Sequence, residues 1–568
     1  MALTKVTEDI RTLGTGEVLD ANIATDTISI GKISGSAAGA AGTFLKQDGT
    51  WATAGTVTDT TGIESDIALL GFKVAVAGTM AKYNLVDQTE DAFMDPTGID
   101  ALASTNETRN AANYYSGNST TVSTFDESNS DPATNQTGTI QSYTVPAGVI
   151  TLTVEVWGAR GGSGYNSWKQ ATTTAALSGG GNVQYKGGFA ARMKGQFTGL
   201  SGGEDVKILV GQPGLGAELS TSVGQSSGGG ASWVMLDLGA ASTAGTTNGA
   251  GNGTRYTPLV VAGGGGGAAC YNGYIYGQSE TPWTRRGEAD ASATTTGSAN
   301  SGTYAFVAAV NGAGGVYSTA GGAVMYAAGG GGGFLTNGLT TTQPHVPAST
   351  GTGGQSFLNG GAGTAVSTYG ATNYGTWNSG YGGAGAGNIG GSGGGGGYSG
   401  GGGGSGSWPS ATMNGGGGGS IINTDYSGTT LTATGGVTDK QTSARGEFGQ
   451  VIITNLVHAN MTLVSNATTA ETTPTKGDIV MTYTNGLGTA LVGTDLKAYA
   501  SRDGTTWTAM TLVAQGNTGT ASPHFIVAAH DVDISGQPSG TSMKYKIETL
   551  NQSAAKETRI QAVSLGWS

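Results

Sequence analysis

Cysteine is nearly absent. Cys270 is the single one in 568 residues, which excludes an intramolecular disulfide framework and a cysteine-rich metal site. Charge is scarce too, at 11% of residues, and the balance is acidic: 25 Lys and Arg against 37 Asp and Glu, for a formal net charge of −12. A generic nucleic-acid binder needs a basic patch, and none is visible. Long hydrophobic runs are missing. The longest apolar stretch, Ile67 to Ala81, carries Lys73 and falls short of the roughly 20 residues that span a bilayer. Met1 to Ile10 lacks the basic-then-apolar opening of a secretory leader. The four histidines have no metal-ligand spacing beyond the loose group His524, His530, Asp531 and Asp533, which reads as a turn. No phosphate-binding Gly-Lys-Ser/Thr loop follows a strand, and chance glycine-pattern matches carry no weight in such a chain. No catalytic residue, metal site or cofactor is therefore expected.

Glycine is what the chain has instead, 107 residues of it, densest from Val260 to Gly436. The runs are Gly263–Gly267, Gly329–Gly333, Gly393–Gly397, Gly400–Gly404 and Gly415–Gly419. Such composition ordinarily makes a flexible linker. Three features favour a folded unit. Apolar segments lead straight into runs, as in Pro258-Leu-Val-Val-Ala262 and Ala323-Val-Met-Tyr-Ala-Ala328. Aromatics are interleaved, and charge nearly vanishes between Gly287 and Thr424. Ordering a glycine costs about 1–2 kcal/mol with no side chain to bury. Backbone hydrogen bonds of about 1 kcal/mol each, with close contacts that a Cβ would forbid, can offset this. Extended helices of three residues per turn, packed side by side, supply both.

Along the chain, residues 1–60 are poor in large apolar groups, and Asp48-Gly49 is a hairpin signal between Phe44-Leu45 and Trp51-Ala52. Over 61–137, Ile67, Leu70, Val74, Ala77 and Ala81 are spaced to give one apolar seam. That spacing predicts a short helix joining identical chains, with a strand over Phe72–Val76 as the alternative. Asp87, Glu90, Asp91 and Asp95 read as a solvated face, and Asn106 to Asn135 as a linker or loosely paired strands. Leu152, Val154 and Val156 alternate with Thr153, Glu155 and Trp157 in a half-buried strand, and Val206–Gly211 and Ser232–Leu236 are two more. After Leu456 come Asp478–Tyr483, Asp495–Ala500, Thr506–Val513, His524–Val527, Met543–Leu550 and Ile560–Leu565. Six such strands predict a β-sandwich over 457–568.

Several stretches resemble known families. Phe44-Leu-Lys-Gln-Asp-Gly-Thr-Trp51 resembles a string found in bacteriophage tail-fibre proteins, which implies a virion-attachment segment over 1–60. Tyr143-Thr-Val-Pro-Ala-Gly148, Val156-Trp-Gly-Ala159, Gly228-Gly-Gly-Ala-Ser-Trp-Val234 and Leu259-Val-Val-Ala-Gly-Gly-Gly-Gly-Gly267 together resemble the glycine-rich domain family of phage fibres and receptor ectodomains. The likeness closes at Phe448–Thr454 and implies a β-sandwich framing a polyglycine II helix bundle over 138–456. Receptor members carry cysteines there that this chain lacks. A more distant similarity is to glycine-rich adhesins at phage fibre tips, where loops between the helices touch the host. Val532–Gly540 and Val563–Trp567 are similar to C-terminal modules of marine phage fibres, and Ser501–Trp507 to a shortened sialidase Asp-box, a hairpin device remote from catalysis.

The expected fold class is all-β and multi-domain: an N-terminal attachment segment (1–60), a short helical or linker oligomerisation region (61–137), the glycine-rich domain (138–456) and the C-terminal β-sandwich (457–568). A glycine bundle has no room for large side chains, so nearby aromatics are expected at helix ends or in loops. The candidates for receptor contact are Tyr271, Tyr274, Tyr276, Trp283, Tyr369, Tyr374, Trp377, Tyr381, Tyr398 and Trp408, half of them with a purely structural job. The resemblance implies a homotrimeric, external tail-fibre or adhesin subunit. It would bind a bacterial surface receptor, either a glycan or an outer-membrane protein, and other virion proteins through its N-terminus, without nucleic acid or membrane insertion. The alternative is a head or neck fibre.

Overall fold

The computed structural model describes residues 43–45, 51–53, 82–84, 87–126, 138–165, 184–185, 187–215, 226–240, 254–268, 290–298, 309–316, 326–342, 350–364, 378–387, 391–406, 414–437, 448–519 and 523–568. The strands expected on either side of Asp48-Gly49 pair, Thr43–Leu45 antiparallel to Trp51–Thr53, while the turn itself lies outside the described residues. The seam from Ile67 to Ala81 lies outside the described residues, which resume with the strand Lys82–Asn84.

The fold is all-β, built of several antiparallel sheets. In chain order its principal strands begin with β1 (Gln88–Asp91), β2 (Glu107–Arg109), β3 (Tyr115–Asp126), β4 (Gln141–Thr144), β5 (Val149–Trp157), β6 (Ala190–Phe197) and β7 (Asp205–Leu209). They continue with β8 (Ser232–Ala240), β9 (Thr254–Ala262), β10 (Ile421–Ile422), β11 (Thr429–Val437), β12 (Gln450–His458) and β13 (Met461–Val464). The last are β14 (Lys476–Leu487), β15 (Leu496–Ser501), β16 (Thr508–Met510), β17 (Val513–Asn517), β18 (Phe525–Asp533), β19 (Ser542–Thr549) and β20 (Glu557–Trp567).

A first sandwich packs the sheet β11-β6-β5-β12-β3 on the sheet β10-β9-β8-β7-β4. Leu152, Val154 and Val156 of β5 point into its core with Val206, Ile208, Val234 and Ile453, as their alternation predicts. Glu155 points outward and pairs with Arg192 and Lys194. β7, β8 and β9 are buried on both faces. Their other side sets Leu209, Trp233, Met235 and Val261 against Phe334, Phe357 and Tyr381. Double burial is why Trp233-Val-Met-Leu236 and Leu259-Val-Val-Ala262 read as continuous apolar runs.

The second sandwich packs β1-β20-β14-β18-β17 on β13-β19-β15-β16 around Met461, Ile479, Met481, Tyr545, Ile547 and Val563. One expected strand is corrected. Thr506–Val513 breaks after Met510, so that β16 pairs with β15 in one sheet while β17 pairs with β18 in the other. Buried Leu512 turns that corner.

Over 87–126 one reading is overturned and another is narrowed. Glu90 and Asp91 do not lie on a solvated face, because β1 pairs with β20 and both side chains are buried. The Asp91 carboxylate accepts from the Phe93 N–H at 2.9 Å and the Tyr545 hydroxyl at 3.4 Å. Of the two alternatives for the polar stretch from Asn106, paired strands hold over 107–109 and 115–126 and a linker does not. β3 pairs with β2 and β20 at its start, then with β12 from Asn118 to Asp126. It belongs to both sandwiches. At the crossing, Ala459 N–H donates to the Gly117 carbonyl at 2.9 Å, and the Ala459 carbonyl leaves no room for a side chain on Gly117.

The glycine runs lie beyond the outer face of β7–β9, and their hydrogen bonds have a fixed period. Gly393 and Gly396 donate to Ser226 and Gly229, Gly394 and Gly397 to Gly329 and Gly332, and Gly395 to Gly416, all at 2.8–3.2 Å. Gly415 and Gly418 donate to Gly267 and Gly264, while Gly416 and Gly419 donate to Gly402 and Ser399. A given neighbour therefore recurs at every third residue, whether it runs parallel or antiparallel. A Cβ on Gly395 would overlap the carbonyl oxygen of Gly264, and one on Gly331 that of Gly395. The backbones meet at a distance only hydrogen permits.

Candidate functional site

The glycine-rich unit has two ends. The end against β7–β9 is closed by aromatics. The turn Phe357–Asn359 stops at Gly360 in the left-handed region (φ 94°), and Phe357 packs 5.3 Å from Trp233 and 5.5 Å from Tyr256. Tyr381, one of the candidate contact residues, belongs to this packing and not to a surface loop. It is buried, its carbonyl accepts from Gln212 N–H at 2.8 Å, and burial pushes its hydroxyl up to about 12. Tyr398 stacks on Phe334 at 6.3 Å and is half-buried. Both have a packing role, because a large ring can be housed only where the runs meet the sheet.

The opposite end gathers the flanks of the remaining candidates. Tyr271, Tyr274, Tyr276 and Trp283 fall in 269–289, Tyr369, Tyr374 and Trp377 in 365–377, and Trp408 in 407–413, all outside the described residues. Residues at or near the ends of these segments bond into neighbouring runs. Ser226 Oγ donates to the Ala268 carbonyl at 2.7 Å, and Leu215 N–H to that of Asn378 at 3.1 Å. Gly393 N–H donates to Ser226 at 3.0 Å, Gly267 N–H to Gly393 at 3.0 Å, and Gly404 N–H to Ser392 at 2.9 Å. Gly415 N–H donates to Gly267 at 3.0 Å and Ser227 N–H to Leu215 at 3.1 Å, so the three stretches, far apart in sequence, adjoin runs that are bonded together.

Serine is the functional residue type that sequence reasoning missed. Ser226, Ser232, Ser379, Ser399 and Ser420 are fully buried among the runs. Ser232 Oγ accepts from Gly211 N–H at 2.9 Å and donates to the Trp157 carbonyl at 2.6 Å. Ser420 Oγ does the same between Gly263 N–H (3.0 Å) and the Ser292 carbonyl (2.6 Å). Each hydroxyl thus relays between two backbone groups, for Ser420 one of them at the start of the Gly263–Gly267 run, which satisfies groups that burial would otherwise leave costly. Serine next to a glycine run was the available signal.

Elsewhere the polar clusters are structural. Burial pushes the Asp503 carboxyl up, but the N–H groups of Thr506 and Thr505 and the hydroxyls of Thr506 and Ser501 outweigh it and hold it well below the usual range. Beside it the Arg502 guanidinium donates to the carbonyls of Pro474, Ser535, Gln537 and Pro538. This is a clamped hairpin. In the His524–Asp533 group the partners diverge. His530 Nδ1 lies 3.4 Å from Asp478, Asp531 pairs with Lys476 at 2.7 Å, and Asp533 accepts from Ser535 N–H at 2.8 Å. Among the described residues no group of three or more His, Cys, Asp or Glu side chains is placed to hold a metal ion.

Comparison with protein-family models gives no match, and comparison with curated proteins gives none either.

Proposed function

We propose that the chain is an external virion fibre subunit, a tail fibre or adhesin, whose glycine-rich unit presents loops to a receptor on the bacterial surface. In this reading the glycine runs are polyglycine II helices, three residues per turn, framed by the first sandwich. The recurrence of each hydrogen-bonding neighbour at every third residue supports that geometry. One observation carries the recognition reading: segments 269–289, 365–377 and 407–413, which hold eight aromatic candidates, adjoin runs that are bonded together, Gly415 to Gly267, Ser226 to Ala268, and Asn378 through Leu215 to Ser227. Tyr and Trp give broad amphipathic contact at low entropy cost, suited to a glycan or to loops of an outer-membrane protein. The N-terminal segment carrying Phe44–Trp51 attaches the fibre to other virion proteins, and the fibre is a homotrimer. The role is binding, without catalysis or cofactor.

Excising the three segments from the full chain tests this. The expected result is loss of retention on bacterial cells, scored over a panel of strains, with an unchanged melting temperature. Retention equal to the parent chain on the same strain overturns the assignment of the loops. Gold labelling of the N-terminus on intact particles should decorate the tail, and decoration of the capsid would instead make the chain a head or neck fibre.

A further inference from the structure

On the second sandwich, the side chains of β1, β20, β14 and β18 that point away from the core form a row. Glu90 stands opposite Ser564, Ser564 opposite Val480, and Val480 opposite Ala528. Val513 of β17 continues the row. These four are between 1% and 4% exposed, whereas Val513 is 57% exposed. Thr482 and Ala562, the next pair on the same face, are covered equally. The described strands packed against this sheet lie in its plane or on its core side. The cover is partly polar in its demands. Glu90 Oε2 and Thr482 Oγ1 are buried without a hydrogen-bond partner, while Gln88 Nε2 serves Glu90 Oε1 (2.7 Å) and Ser564 (2.8 Å).

We propose that this face is the docking surface for the chain's own segment 63–81, which lies across β1, β20, β14 and β18 and stops short of β17. The strand Lys82–Asn84 pairs with β1, with Tyr83 opposite Glu90, so the segment ends at the edge of this very sheet. Its apolar stripe, Ile67, Leu70, Val74, Ala77 and Ala81, needs an apolar seat, which Val480, Ala528 and Ala562 supply. Reach agrees as well. Fifteen residues of helix measure about 22 Å, and four strands span about 15 Å between their outer axes. A stripe seated in this way is not available to join identical chains, so contacts within a homotrimer lie elsewhere.

The test uses the full chain with Cys270→Ser. Ala562→Cys is combined in turn with Ile67→Cys, Leu70→Cys, Val74→Cys and Ala77→Cys, oxidised, and mapped by peptide mass spectrometry. At least one pair is expected to close within a chain. Disulfides only between chains would assign the face to a second copy, and no disulfide in any pair would leave it without this occupant; either result overturns the proposal. The lone Ala562→Cys thiol should be protected from maleimide, and Leu70→Glu with Val74→Glu should speed its labelling at least about ten-fold by opening the face locally. Unchanged protection in that variant, with the second sandwich still folded by circular dichroism, also overturns it.

Discussion

Glu90 and Asp495 are both buried carboxylates on strands or loops of the second sandwich, and their surroundings move them in opposite directions. Burial pushes Glu90 up to about 7 from an ordinary 4.5. For Asp495 burial also pushes up, but hydrogen bonds from Lys556 (2.6 Å) and Asn551 (2.8 Å) outweigh it and bring the carboxyl down to about 2. The folded chain therefore keeps a proton on Glu90 after the unfolded chain has lost it. Glu90's contribution is complete below about pH 4.5 and declines as pH rises through about 7. Glu90→Gln should match the parent at pH 4.5 and exceed it in urea midpoint at pH 8; equal midpoints at both would refute this. Asp495 has the reverse sign, stabilising above the ordinary carboxylate range and failing as pH falls through about 2. Asp495→Asn should cost about 1–3 kcal/mol at pH 7, with the gap to the parent narrowing as the solution is acidified.

At the scale of elements, the glycine runs are held by contacts that a single methyl group breaks. Gly395→Ala must push against the Gly264 carbonyl, which is itself fixed in a bonded run. A loss of at least about 2 kcal/mol in chemical denaturation is expected. Gly536→Ala, whose Cβ meets nothing within 4 Å, should stay within about 0.5 kcal/mol of the parent. What the sequence made legible follows the same division. β5, β15 and β19 could be read because side chains of opposite polarity alternate along them, and β14, β18 and β20 because each carries a short apolar run. β1 could not, since Gln88, Glu90 and Asp91 are polar yet buried, and the polar Asn118–Asp126 stretch of β3 is held largely by its backbone ladder to β12. The glycine runs announced themselves by composition, but which run bonds to which leaves no trace in residues without side chains. Among the aromatic candidates, composition could not separate Tyr381 and Tyr398, which pack at the sheet end, from those on the segments that leave the other end.

For the whole molecule the decisive element is β3, because the sheets of the two sandwiches meet along it. The parent chain should unfold in one calorimetric transition over both sandwiches. Ser119→Pro with Thr120→Pro, which removes at least one ladder donor opposite β12, should split that transition in two; a single transition in the variant would show that the coupling runs by another route. β3 and β12 lie side by side from Asn118 to Asp126, then pass together into the second sandwich where Ala459 meets Gly117. A tug that separates the two sandwiches end from end would therefore draw β3 and β12 together lengthwise past β5, straining the rungs between β12 and β5 all at once instead of peeling them apart one at a time. In the fibre proposed above, fixed at one end and attached to a drifting cell at the other, that seam is oriented to resist the current.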